Sequence, residues 1–191
     1  MKTLLLFLLL ALDARAQGLV LFYNRNLEDP DTHQLYNASV TLPNGAGVEG
    51  SAFTAGLFLS QTGSFNLIAT TFFREGAGAG LFTTPQGSTE VPGIPPGLPA
   101  TFRARVWETA AGSYENAIAS GRFYGEFVTK IGSPDIFIPE LGMPNPPGSI
   151  TVPTLAGIQP LVLIPEPQAL ALATFAGGFL LLAQKLFRRK R

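Results

Sequence analysis

The chain of 191 residues contains no cysteine and only one histidine, His33. Without thiols it cannot form disulfide bonds, use a cysteine nucleophile or bind zinc through thiolates. One histidine is too few for a histidine zinc site, so we expect no metal and no other cofactor. The sequence also lacks the G-x-S-x-G turn of a serine hydrolase, and His33 would be the only base for a triad. These absences predict a protein that is not an enzyme.

Residues 1–16 have the pattern of a secretory signal peptide. Lys2 provides the positive start, and nine apolar residues follow at 4–12. Ala14 and Ala16 flank Arg15 in the small-x-small form of a cleavage site, which predicts a mature chain that begins at Gln17. Nine apolar residues are too few to span a bilayer, so a cleaved signal helix is favoured over an anchor.

The last 27 residues, 165–191, combine a short motif, an apolar run and a basic end. Pro165, Glu166 and Pro167 stand directly before residues 168–187, in which no charge occurs until Lys185. Twenty residues at about 1.5 Å each are long enough to cross a hydrocarbon core of about 30 Å as a transmembrane helix. By the positive-inside rule, the basic cluster keeps this end in the cytoplasm and places the rest of the chain across the membrane. The basic residues are Lys185, Arg188, Arg189, Lys190 and Arg191.

This arrangement resembles the PEP-CTERM sorting domain of exported bacterial proteins, over about residues 164–191. The resemblance implies recognition by an exosortase, a membrane-embedded cysteine protease-transpeptidase of Gram-negative bacteria that make exopolysaccharide. It further implies that the inner-membrane anchor is temporary and is removed near the motif. The alternative is a plain single-pass anchor, which would not require Pro-Glu-Pro at this position.

Between the two targeting segments, residues 17–164 form a body of 148 residues, the size of one domain. The formal net charge of the whole chain is zero, but the body carries six basic and eleven acidic residues, a net charge of −5. Such a body has no basic surface for phosphate, so nucleic acid is excluded as a partner.

Short apolar runs separated by glycine and proline predict an all-β fold for the body. Several runs alternate with period two, and the best helical candidate is one short stretch at 114–120. We therefore predict an antiparallel β-sandwich, Ig-like or jelly-roll-like, with surface loops at 85–99 and 143–153 where prolines are dense. The predicted strands are 19–23, 52–59, 66–73, 101–109, 122–130, 136–138 and 161–164.

The strand at 102–108 and the following segment at 112–117 resemble a pattern found in uncharacterised secreted PEP-CTERM proteins of environmental bacteria. The resemblance covers about a third of the body. It implies a shared domain without a known activity.

Trp107 is the only tryptophan, and alternation places it on one strand face with Arg103 and Arg105. If this face is exposed, Trp107 and Tyr124 of a neighbouring strand are a candidate ligand face on which a sugar ring could stack. The ordinary alternative, which we favour, is that Trp107 lies beneath a loop or is stacked by arginine.

Three other groups of residues are candidate sites, and each has a favoured structural interpretation. Glu108, Glu115 and Glu126 could supply an acid/base pair for glycan hydrolysis, but exposed strands routinely carry such residues. The acidic segment 26–32 is rich in oxygen ligands but lacks the spacing of a calcium loop. The glycine-rich segment 76–80 lacks the lysine of a phosphate-binding loop and is more typical of a flexible hairpin turn.

The sequence thus predicts an exported cell-surface or extracellular-matrix protein with a structural or interaction role, associated with extracellular polysaccharide. Two alternatives remain open: a carbohydrate-binding module with an exposed aromatic face, and a glycan-active enzyme with a carboxylate pair.

Overall fold

The computed structural model describes residues 17–85, 87–143 and 152–165. The predicted signal peptide, Glu166 and Pro167 of the motif, the predicted membrane helix at 168–187 and the basic residues that follow lie outside these ranges. Within the described ranges, no helix is long and apolar enough to cross a bilayer.

The described chain is mostly β, as the sequence predicts. Its strands are β1 (Gly18–Val20), β2 (Leu27–Glu28), β3 (Leu35–Tyr36), β4 (Val40–Thr41), β5 (Phe53–Gln61), β6 (Ser64–Phe72), β7 (Thr89–Val91), β8 (Ala100–Glu108), β9 (Phe123–Glu126), β10 (Ile136–Ile138), β11 (Leu161–Val162) and β12 (Ile164–Pro165).

The principal sheet has six strands, and every pairing in it is antiparallel. The order is β12-β9-β8-β5-β6, and β10 also pairs with β8. Strand β8 is central: β5 lies along one side, while β10 and β9 share the other side, at opposite ends of β8. Three pairs of short strands complete the described fold: β1 with β7 and β2 with β3, both antiparallel, and β4 with β11, parallel.

Alternation along β8 separates a core face from an outer face, as predicted. Phe102, Ala104 and Val106 are fully buried, whereas Arg103 and Arg105 are half-buried on the other side. The core face packs into one cluster with buried residues of β1, β4 and β7, so the core lies between the six-stranded sheet and the short strands. Burying these apolar side chains is the main source of stability for such a fold.

The centre of the core is aromatic and joins distant parts of the chain. The Phe82 ring lies 4.9 Å from Phe22, 5.5 Å from Phe73 and 6.1 Å from Phe127, between ring centroids. The tilted and edge-on angles of these pairs are those that aromatic quadrupoles favour.

One helix, α1 (Tyr114–Ala119), covers part of the outer face. The Ser113 side chain accepts a hydrogen bond from the Asn116 amide at 3.1 Å, so α1 begins at a regular N-cap. Glu115 in the first turn suits the positive end of the helix dipole. The predicted helix at 114–120 is therefore confirmed.

One prediction about the short elements was wrong, and several short strands were not predicted. The proline-rich stretch 85–99, predicted as a loop, contains β7, whose three residues lie between Pro85 and Pro92 and pair with β1. The sequence pattern also missed β2, β3 and β4, because two-residue strands are too short to show a period. Of the other predicted loop, residues 144–151 lie outside the described ranges.

Candidate functional site

Trp107 and its neighbours form a second buried cluster on the outer face of the sheet. This outer-face cluster consists of Phe58, Trp107, Tyr114 and Ala117, and α1 supplies its cover. Trp107 is only 3% exposed, and its ring meets Phe58 edge-on, with centroids 6.3 Å apart. The exposed aromatic platform considered from the sequence is therefore not formed by Trp107. Because α1 follows β8 by only a short turn, the helix folds back over the tryptophan.

Tyr124, the other residue of the candidate ligand face, is half-buried beside this cluster. Its ring packs edge-on against Tyr114, with centroids 5.8 Å apart and planes at 86°. Burial, together with the nearby Glu126 carboxylate, raises the pKa of Tyr114 to about 12. Tyr114 of α1 therefore packs on Tyr124 of β9, one of the two residues of the candidate ligand face.

Arg105 is the polar centre of the outer face. Its guanidinium carbon lies 4.8 Å from the Phe58 ring centroid and 4.7 Å from that of Tyr114. The Arg105 Nε donates to the Glu126 carboxylate at 2.7 Å, and Nη1 reaches Glu115 of α1 at 3.4 Å. Since the Arg105 side chain is only 13% exposed, these ion pairs and cation–π contacts are partly shielded from water. Arg105 thereby links β8, β9 and α1.

Arg103, two residues earlier on β8, also combines a cation–π contact with an ion pair. Its guanidinium carbon lies 4.1 Å from the Phe65 ring centroid, and Nε donates to Asp135 at 2.7 Å. Nε is also 4.0 Å from Glu126, so this carboxylate is shared between Arg103 and Arg105.

The three glutamates considered as an acid/base pair are all engaged with arginine. Glu126 and Glu115 pair with Arg105, and Glu108 pairs with Arg122. The pairs made by Arg105 join β8 to β9 and to α1.

Carboxylates of the acidic segment 26–32 form ion pairs with Lys130, which lies on another loop. Lys130 Nζ lies 2.6 Å from Asp29 Oδ2 and 2.8 Å from Asp31 Oδ2. Asp29 Oδ1 also accepts from the amides of Asp31 and Thr32, at 2.9 and 3.1 Å. The Lys130 contact, assisted by these amides, lowers the pKa of Asp29 to about 2. A cation is thus already present at these carboxylates, in the form of the lysine ammonium.

His33 lies in the same turn but outside this ion-pair group. Its Nδ1 is 2.6 Å from Glu28, its side chain is 76% exposed and its φ is +56°. Within the described ranges, no group of three or more His, Asp or Glu side chains is placed to hold a metal ion.

The glycine-rich segment 76–80 is a packed turn that brings the chain from β6 to the core residue Phe82. Gly80 has a φ of +79°, and a Cβ there would stand 2.7 Å from the Val40 carbonyl oxygen. Its own carbonyl accepts from the buried side chain of Asn24 at 2.8 Å. The close approach of two backbones is therefore the structural reason for a glycine at position 80.

A groove of about 940 Å³ lies beside β6 and was not anticipated from the sequence. Apolar side chains such as Leu19 and Ile68 and hydroxyls such as Ser88 and Thr89 line it. Thr84, also in its wall, is 4% exposed, and its hydroxyl has no hydrogen-bond partner among the described residues. The lining comes from five separated segments, so no local pattern indicates it.

Comparison with known proteins adds no identification: no family model, no curated protein and no solved structure matches this chain.

Proposed function

We propose that this chain is an exported cell-surface or extracellular-matrix protein of a Gram-negative bacterium, sorted by an exosortase, with a structural or interaction role near extracellular polysaccharide. The observation that carries the proposal is the order of Pro165-Glu166-Pro167, an uncharged apolar run and a basic end. The described fold is compatible with this order, because its last strand, β12, ends at the first residue of the motif.

The body is proposed to be an antiparallel β-sandwich. Support comes from the core, in which the inner face of the six-stranded sheet packs against buried residues of β1, β4 and β7. Two layers around one core are the usual solution for sheets that are apolar on one face.

The contacts on the outer face of the sheet favour a structural role over the two alternatives. The only tryptophan is buried under α1, and the candidate catalytic glutamates are bound to arginines. Both sets of residues are thereby used in holding the sheet and the helix together.

The proposal is tested by expressing the full chain in a Gram-negative host that has an exosortase. Replacing Pro165, Glu166 and Pro167 by alanine should leave full-length protein in the inner membrane, as seen by fractionation and mass spectrometry. The physical basis is that the prolines disfavour helix and the glutamate charge disfavours the hydrocarbon, which keeps the motif at the interface. Replacing Pro144, Pro146 and Pro147 by alanine is the matched control and should leave release unchanged. Release of the motif variant at the wild-type rate would reduce the segment to an ordinary anchor or a substrate of another protease.

Carbohydrate binding is the second candidate function, and the groove beside β6 now supports it better than Trp107 does. The half-buried Ser88 supplies a hydroxyl to the lining of this groove, and hydroxyls are groups that hydrogen-bond to sugars. Binding of purified exopolysaccharide to the protein should weaken in a Ser88→Ala variant and remain in Thr101→Val, which removes a hydroxyl from β8 away from the groove. Equal binding by both variants, or by neither, would remove this candidate.

A further inference from the structure

The last described segment, residues 161–165, pairs with both parts of the fold. Its first half, β11, lies parallel to β4, and its second half, β12, lies antiparallel to β9 at the edge of the six-stranded sheet. The Leu161 amide donates to the Ser39 carbonyl at 2.9 Å, and the Leu163 amide donates to the Thr41 carbonyl at 2.8 Å. We call these five residues the C-terminal clamp, because they join β4 to β9.

Side-chain packing holds the clamp in the same place. Leu163 is fully buried in the core, whereas Val162 and Ile164 are 55% and 59% exposed. Strand β9 carries Gly125 where the clamp crosses, and a Cβ there would stand 3.0 Å from methyl carbons of both Leu161 and Leu163. The leucines therefore occupy space that a larger residue on β9 would need.

The residues before the clamp are bound as well. The Gln159 amide donates to the Val128 carbonyl at 2.8 Å, and the Lys130 amide donates to the Gly157 carbonyl at 3.0 Å. The Tyr36 hydroxyl donates to the Ile158 carbonyl and accepts from the Gly157 amide, each at 3.0 Å. The chain from Gly157 to Pro165 thus has partners in β3, in residues 39–41, in β9 and in residues 128–130.

We propose that the fold itself sets the position of processing: the peptide bond that is cleaved lies C-terminal to Pro165, and the released protein keeps the whole clamp. This inference rests on the proposed exosortase processing and adds where the cut falls. Proteases bind their substrates as extended chain freed from other partners, so a bond within the clamp is cut only after local unfolding. Opening the clamp would break two backbone hydrogen bonds to the β4 region and expose Leu163.

The chemistry is the breaking of one amide C–N bond. The acyl carbon passes to the protease thiol and then to water, which leaves a carboxylate on the released body. The proton taken up by the departing nitrogen leaves an amino group on the membrane-held remainder. Transfer to an acceptor amine in place of water would leave an amide on the body, and the bond that breaks would be the same.

The test is to express the full chain in the exosortase host and to measure the intact mass of the product that is released from it. A C-terminus at Pro165 or beyond supports the inference, and a C-terminus before Leu161 or inside the clamp overturns it. If the chain is not processed at all, the proposed function fails, and the clamp is then judged by a second arm that needs no exosortase.

In that arm, the full chain in detergent micelles is digested with proteinase K, which has little sequence preference. The protected fragment should end at Pro165 or later. A stable folded fragment that ends before Leu161 would show that the clamp is dispensable and would overturn the inference.

A matched pair of substitutions tests the cause. Leu163→Ala removes a buried side chain and should lower the Tm by about 5–15 °C while producing fragments that end before Leu161. Val162→Ala, on the exposed side of the same segment, should retain the wild-type fragment. Leu163→Val is a milder variant if Leu163→Ala does not fold, and it should shift the fragments in the same direction. Wild-type ends and Tm in the Leu163 variants would contradict the proposal.

Discussion

The indole ring of Trp107 lies directly over the backbone of Gly56 on the neighbouring strand. Two ring carbons stand 2.6 Å from the position that a Cβ of residue 56 would occupy. Gly56 is opposite Arg105 in the register of β5 and β8, so the tryptophan reaches diagonally across the sheet. The absence of a side chain at Gly56 is what lets the indole lie flat beneath α1.

Gly56→Ala should therefore lower the free energy of unfolding by about 1–3 kcal/mol, because the added methyl group must displace the ring. Denaturant titration with tryptophan fluorescence measures both stability and the environment of Trp107. Ser60→Ala on the same strand is the control and should change stability by less than about 0.5 kcal/mol. A Gly56→Ala variant as stable as wild type would show that the indole moves away without cost.

Trp107→Ala should cost about 3–5 kcal/mol, the range for removing a large buried aromatic residue. The wild-type protein should show blue-shifted fluorescence, as expected for an indole that is 3% exposed. Phe137→Ala is the control, since Phe137 is an aromatic residue on β10 that is 65% exposed. A loss below about 1.5 kcal/mol for Trp107→Ala would favour the ligand-face alternative.

Asn24→Ala should cost about 2–4 kcal/mol, because several buried backbone groups would lose their partner. The fully buried Asn24 side chain donates to the carbonyls of Ala38 and Gly80, each at 2.8 Å, and accepts from the Phe82 amide at 2.7 Å. Hydrogen exchange should show faster exchange of the Phe82 amide in the variant. Asn66→Ala, on exposed β6, should leave both stability and that amide unchanged. Unchanged protection of Phe82 in Asn24→Ala would contradict the prediction.

Stability should fall in acid through the ion pair of Asp29 with Lys130. The pKa of Asp29 is lowered from 3.8 to about 2 in the folded protein, so the unfolded state binds more protons between these values. The contribution is complete above pH 4 and is lost as the pH falls through 2. Asp29→Asn should remove this part of the pH dependence of the unfolding free energy, which denaturant titrations from pH 2 to 6 would measure. Asp31→Asn, which leaves the backbone amide contacts of Asp29 in place, should retain most of it. The same acid slope in Asp29→Asn as in wild type would assign the loss to other carboxylates.

Local patterns predicted the parts of the fold that depend on neighbours in sequence. Alternation along β8 identified Phe102, Ala104 and Val106 as the core face, and the segment after Ser113 was recognised as a short helix. Both predictions succeed because side-chain direction in a strand and capping of a helix are set within a few residues.

The same patterns could not decide whether the outer face of the sheet is exposed to solvent or covered. Alternation correctly put Trp107 with Arg103 and Arg105, but whether that face meets solvent depends on where α1 lies. Likewise, the pairing of β7 with β1 joins residues about 70 positions apart. The prolines around β7 made the segment look like a loop, because proline disfavours strand pairing.

By itself, the sequence determined the sheet-rich class and the core face of β8, because each follows from a local pattern of polarity. The export and sorting signals stay predictions from local patterns of length and charge. Only the tertiary structure decided that Trp107 is covered, that Asn24 joins residues up to 58 positions away, and that residues 161–165 connect β4 to β9. The physical reason is that burial and hydrogen bonding of these residues depend on partners from distant segments, which carry no mark of their pairing in the linear chain.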